Sequence, residues 1–267
     1  MGKNMLTLYD KNHLSATLDE SGVCTVTLNN PPQLNALNTT MAAGSLELSQ
    51  IISASAARVV VFTGAGRAFS AGGDLSYLIE LTKLPAAESQ AAMLQFYKSY
   101  LSLFTIPLPT IAHINGACVG AGFCLALACD MRFIVSGAKI GMNFVRIGLN
   151  PGMAAEYWAR TLASPLAKEM LYTGKIFTSS EPRLRQLFNH VASEAEINTL
   201  VAETARSIAL NSPQSVKISV SLLRDTALGL EATMQAEAQG QGVCMSTGQI
   251  AESVAAQREG KSFRFTT

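Results

Sequence analysis

Asn115-Gly-Ala-Cys-Val-Gly-Ala-Gly-Phe-Cys-Leu125 follows the short strand pattern Thr110–Ile114 and leads directly into an apolar helical pattern. The same design, a strand, a turn rich in Gly and Ala, then a helix, occurs earlier as Gly66-Arg-Ala-Phe-Ser-Ala-Gly-Gly-Asp-Leu75 behind Val59-Val-Val-Phe62. Repeated strand-turn-helix units of this kind build an α/β body. The turns also suggest chemistry. The first N–H groups of a helix lack intrahelical acceptors and sit at the positive end of its dipole. Gly and Ala keep side chains out of the way, so a ligand oxygen can approach those donors. Taken singly, each turn is better explained by close packing of small residues. If both face one point, two main-chain donors form an oxyanion hole.

Working outward, Ser15–Leu18 and Val23–Leu28 flank Asp19-Glu-Ser-Gly22 and predict a hairpin. Asn29-Asn-Pro-Pro32 breaks the chain, and Asn38-Thr-Thr40 offers caps for a helix to about Ser53. Val59–Phe62 has the β-branched composition of a buried strand. Helical pattern is expected from Leu75 to Phe104, ended by Ile106-Pro-Leu-Pro109, and Met131–Val135 is a further strand. From Gly152 onward the pattern is almost purely helical: Ala154–Leu162, Pro165–Tyr172, Glu194–Leu210, Pro213–Leu228 and Leu230–Gln257. This change predicts a sheet-containing body over residues 1–204 and a helical part over 205–267, packed together without a linker.

Composition narrows the function. Of 267 residues, 48% are hydrophobic and 15% charged, and 20 Lys+Arg against 19 Asp+Glu leave a net charge of +1. Such a chain is not disordered. It has no excess of positive charge for nucleic acid. Its low charge fraction predicts burial against copies of itself. The five cysteines, Cys24, Cys118, Cys124, Cys129 and Cys244, contain no C-x-x-C pair and predict buried thiols in a reducing compartment. The longest apolar run, Ala117–Cys129, is too short to span a bilayer, and the N-terminus lacks a signal or transit pattern. A soluble, intracellular protein is expected. No G-x-x-x-x-G-K-[ST], no G-x-S-x-G and no G-x-G-x-x-G after the first strand is present. Three histidines give a zinc site or a Ser-His-Asp triad little to work with, so no metal or separate cofactor is expected.

Asn29-Asn-Pro-Pro-Gln-Leu-Asn-Ala-Leu-Asn38, Val59-Val-Val-Phe-Thr-Gly64, Phe69-Ser-Ala-Gly-Gly-Asp-Leu75 and Asn115–Gly122 with Cys129-Asp130 together resemble the crotonase (enoyl-CoA hydratase/isomerase) superfamily, in order and spacing. Ile147-Gly-Leu-Asn-Pro-Gly152, Met170-Leu-Tyr-Thr-Gly174 and Arg258-Glu-Gly-Lys-Ser-Phe263 extend the resemblance over almost the whole chain. It implies a spiral of ββα units followed by a helical trimerisation region, assembled as a trimer or dimer of trimers. It implies an acyl-CoA thioester substrate, its carbonyl between the N–H groups of Gly73 and Ala121. Pantetheine and adenine would lie along Gln33, Leu34 and Ala36 and along Ala68, Ala71 and Gly72. Lys261, and Arg67, are candidates for the CoA phosphates.

The departures from that pattern carry as much information. The two hydratase glutamates correspond here to Cys124 and Phe144, and a later acid used by some isomerases corresponds to Gly152. Ordinary hydration needs a base for the water and an acid for the α-carbon, whereas one carboxyl group can move a double bond. Isomerisation is therefore the expected chemistry. Glu156, one helical turn after Gly152, is the candidate acid/base, with a solvated helix carboxylate as the other explanation. Cys124 is either a thiol acid or inert packing. Asp74 reads more naturally as a helix cap, and Asp130 and His113 as structural. Phe144 fills the volume of a glutamate. The competing expectation is an acyl-CoA-binding relative that has lost its chemistry.

Overall fold

Val59 and Val61 point to one side of a strand, Val60 and Phe62 to the other, and all four are buried. Burial on both faces is what makes a continuous β-branched run a central strand. In the computed structural model, which describes residues 5–153, 155, 165–225, 230–247 and 249–266, this strand, β4 (Val59–Gly64), is the middle of a seven-stranded sheet. On one side lie β3 (Val23–Leu28), β2 (Leu14–Asp19) and β1 (Met5–Lys11), joined by antiparallel pairing. On the other lie β6 (Thr110–Ile114), β8 (Met131–Val135) and β11 (His190–Ala192); every pair from β3 through β11 is parallel.

A second sheet holds β5 (Ala68–Ser70), β7 (Ala117–Val119), β9 (Lys139–Gly141) and β10 (Phe177–Thr178), in the order β10-β9-β7-β5. The chain alternates between the sheets: β4 is followed by β5, β6 by β7, and β8 by β9. After β5 come α2 (Leu75–Leu81) and α3 (Ala86–Leu101), and after β7 comes α4 (Ala121–Ala128). The preceding helix, α1 (Thr39–Ser53), starts where expected because Asn38 Oδ1 accepts the Met41 N–H at 2.9 Å.

The sequence expectations need several corrections. The helical tract expected over 75–104 is two helices, because Pro85 lacks an N–H and restricts the residue before it. Both glycine-rich turns contain a three-residue strand, β5 or β7. The tract after Gly152 contains β10 and β11 beside its helices α5 (Pro165–Thr173), α6 (Glu194–Leu210), α7 (Pro213–Arg224), α8 (Leu230–Ser246) and α9 (Gln249–Arg258). The helix expected over 154–162 lies outside the described residues except for Ala155. The boundary at 204/205 falls inside α6, whose Ile197, Val201, Ala205 and Ala209 pack against Val59, Val61, Ile111 and Phe133. Helix α6 therefore packs along one face of the large sheet on both sides of that boundary. No helix among the described residues is long and apolar enough to cross a membrane.

Candidate active site

The site begins with a breaker. After Asn30, Pro31–Gln33 forms one 3-10 turn, and Leu34 and Asn35 adopt left-handed backbone, φ 50° and 55°. Asn tolerates that region better than most residues. Asn35 is completely buried and ties three segments together. Its Oδ1 accepts the Asn30 N–H at 2.8 Å, and its Nδ2 donates to Ala65 O and Ala68 O at 2.9 and 2.8 Å. The loop then zips onto the first glycine turn: Ala71 N–H donates to Leu34 O, Leu37 N–H to Gly72 O and Asp74 N–H to Leu37 O, at 2.7–2.9 Å. Gln33 Oε1 accepts from Asn30 Nδ2 at 2.8 Å. Leu34, Ala36 and Ala68 are thus brought beside Ala71 and Gly72.

The second glycine turn packs directly on the first. A Cβ at Gly122 would lie 2.6 Å from Ser70 Cβ, and one at Gly72, which has φ +102°, would lie 3.0 Å from Val119 O and 3.6 Å from Ala121 N. Only glycine permits this approach and this backbone. Gly73 and Ala121 consequently open on one cavity of about 180 Å³. The bridge between Leu37 and Gly73 uses the carbonyl of Gly72 and the N–H of Asp74, leaving the Gly73 N–H outside it. Ala121 is the first residue of α4, where no intrahelical acceptor exists for its N–H. Neither N–H has a hydrogen-bond acceptor among the described residues.

Helix α3 supplies Met93, Phe96 and Tyr97 to the cavity wall, and the segment after β9 supplies Asn143, Phe144 and Leu149. Phe144 is buried and lines the pocket. Asp74 is the one carboxylate among the described wall residues, and its Oδ1 accepts the Ser76 N–H at 2.8 Å as the N-cap of α2. An apolar groove between α2 and α3, lined also by Ile79 and Leu81, shares Leu75, Leu78, Met93, Ile147 and Leu149 with the cavity.

Several candidates fall elsewhere. Cys124 does not line the cavity. It is completely buried, its Sγ–H donates to Gly152 O at 3.7 Å, and burial pushes the thiol far above the reactive range. Inert packing is thus the explanation that holds. Lys261, a candidate for the CoA phosphates, pairs with Glu259 at 2.8 Å, both exposed. Asp130 accepts Thr110 N–H and Oγ1–H and pairs with Arg224, a structural role. His113 faces α6: burial lowers its pKa, opposed by Glu194 and by a hydrogen bond to the Asn198 side chain, and its Nε2 has no partner among the described residues. Glu156 lies outside the described residues. No group of three potential metal ligands occurs among the described residues. Sequence reasoning missed Asn35 as the keystone and Tyr97 as a wall residue. The aromatic cluster Phe96-Tyr97 with Tyr100 on one helix was the available signal.

Fold and site define a class: an α/β protein of alternating two-sheet units whose two glycine turns both line one apolar cavity. Residues 19–267 match the family described as enoyl-CoA hydratase/isomerase, and the chain belongs to that family. Among curated relatives, the short-chain-enoyl-CoA hydratase of Clostridium acetobutylicum is 30% identical over 85% of this chain and 88% of its own. The crystal structure of an enoyl-CoA hydratase/carnithine racemase from Magnetospirillum magneticum matches with a TM-score of 0.86 and 30% identity, covering 96% of each chain. That of an enoyl-CoA hydratase from Polaromonas sp. JS666 gives 0.86 at 28% identity, covering 95% of this chain and 99% of that one.

Proposed function

We propose that this chain isomerises the double bond of enoyl-CoA thioesters, through an enolate held by the main-chain N–H groups of Gly73 and Ala121. The observation that supports this reading is that both glycine turns open on one apolar cavity with a single carboxylate, already engaged as a cap, among its described wall residues. Converting a 3-enoyl to a 2-enoyl thioester removes a proton from C2 and adds one at C4. Between the two steps the negative charge rests on the thioester oxygen, where two preorganised donors stabilise it most. One carboxyl group suffices for both transfers, whereas hydration also requires activation of water. Cys124 and Phe144 supply no carboxylate at the positions where the resemblance puts the hydratase pair. Glu156 is the carboxyl group we assign, on its spacing from Gly152 alone; an apolar acyl pocket raises the pKa of such a group. CoA would run along Gln33–Ala36 and Ala68–Gly72, and a trimer or dimer of trimers belongs to the same reading.

Turnover of 3-enoyl-CoA and hydration of 2-enoyl-CoA, measured side by side, test the proposal. Isomerisation is expected to be the faster, and Glu156→Gln to lower it roughly 100-fold or more. Unchanged isomerase turnover in that variant would remove Glu156 from the mechanism, and faster hydration would reverse the preference. The buried thiol and phenyl at Cys124 and Phe144 favour a second reading, acyl-CoA binding without chemistry. Calorimetric binding with no turnover at any chain length would select it.

A further inference from the structure

We propose that the Tyr97 hydroxyl is a substrate-contacting, specificity-determining group, and that the preferred acyl-CoA carries an oxygen substituent, hydroxyl or oxo, on its acyl chain. The proposal rests on the acyl-CoA reading above. Its starting point is Gly152. A Cβ built there would fall inside the contact shell of Tyr97 Oη and 3.0 Å from Tyr97 Cζ. The hydroxyl therefore occupies the volume that any side chain at 152 would enter. The glycine is itself anchored from behind, since Cys124 Sγ–H donates to its carbonyl.

The phenol is held in place from its own helix as well. Tyr97 packs edge-to-face on Phe96, with ring centroids 6.4 Å apart, and both rings line the cavity that Gly73 and Ala121 open on. Tyr97 Oη has no hydrogen-bond partner among the described residues, whereas Tyr100, one turn on, donates to Asn38 O at 2.9 Å. Burial raises the Tyr97 pKa, with a smaller contribution from Cys124, so the hydroxyl keeps its proton at neutral pH and acts as a donor.

A hydrocarbon chain passing this hydroxyl strips away its water and returns no hydrogen bond, which weakens binding. An acyl oxygen within reach restores the bond. Sites that donate to a substrate oxygen discriminate against the analogue lacking it more strongly than apolar pockets discriminate by size.

Calorimetric titration of the full chain with butyryl-, 3-hydroxybutyryl- and 4-hydroxybutyryl-CoA tests this. The unaltered protein is expected to bind one hydroxylated ligand roughly tenfold tighter than butyryl-CoA. Tyr97→Phe should erase that preference by tightening butyryl-CoA, which no longer strips water from a hydroxyl, and weakening the hydroxylated ligand, which loses its hydrogen bond. Gly152→Ala, which displaces the hydroxyl, should lose the same preference and serves if the first variant fails to fold. Equal affinities in the unaltered protein, or a preference that survives both substitutions, overturn the proposal and leave the thioester reading standing. If none of the three ligands binds the unaltered protein, the thioester reading itself fails.

Discussion

Ala121 is the first residue of α4, a helix position that accepts proline because its N–H has no intrahelical acceptor. Ala121→Pro thus deletes one proposed oxyanion donor with little disturbance of the helix. Its kcat on enoyl-CoA is expected to fall about 10²–10³-fold, the usual consequence of losing one such donor. Circular dichroism should show the same melting transition as the unaltered protein, and an unchanged kcat would exclude this N–H from the hole. At this scale the sequence was legible where chemistry demands a residue type. Gly72 and Gly122 had to be glycine for two loops to touch, and both stand in the turns singled out at the start. Asn35 and Tyr97 were not legible, because their importance lies in partners 30 and 55 residues away along the chain.

Helix α6 shows what an element can reveal on its own. Its expected limits, Glu194–Leu210, are the observed ones, because a capping box marks the start. Ser193 N–H and Oγ–H donate to Glu196 Oε2 at 3.0 and 2.6 Å, and Glu196 N–H donates back to Ser193 Oγ. Ser193→Ala is expected to cost about 1 kcal/mol, read as a lowered urea midpoint. The hydrogen bonds from Ser193 hold the Glu196 carboxyl below the usual range. Its contribution is therefore complete above the unfolded carboxylate range near pH 4.3 and is lost as pH falls through the lower folded value. Amide exchange at the start of α6 should accelerate over that acidic window in the unaltered protein and be insensitive to it in Glu196→Gln. The strands β5, β7, β9, β10 and β11 have two or three residues each and no measurable alternation, so no local pattern announces them. They exist because neighbouring strands supply ladder partners.

Arg224 joins the C-terminal helices to the body of the molecule. Its guanidinium donates to the carbonyls of Phe104, Ile106 and Leu108 at 2.8–3.0 Å and to Asp130 Oδ2 at 2.8 Å. The Pro-interrupted segment 104–109 has no ladder of its own for these carbonyls, so one planar cation satisfies them. Arg224→Ala is expected to destabilise the chain by about 2–3 kcal/mol and to expose residues beyond 211 to limited proteolysis. Arg224→Lys should not restore protection, since an ammonium cannot span three carbonyls and a carboxylate. At the scale of the molecule, the sequence alone determined the α/β class, the family resemblance, the central strands and the two glycine turns. Each is encoded by local composition: β-branched runs buried on both faces, and small residues where backbones meet. Only the tertiary structure decided that α6 belongs to the sheet, that Cys124 is sealed behind Gly152, and that Tyr97 enters the cavity. Those facts depend on which distant surfaces come to lie against one another, and no local period or propensity records that.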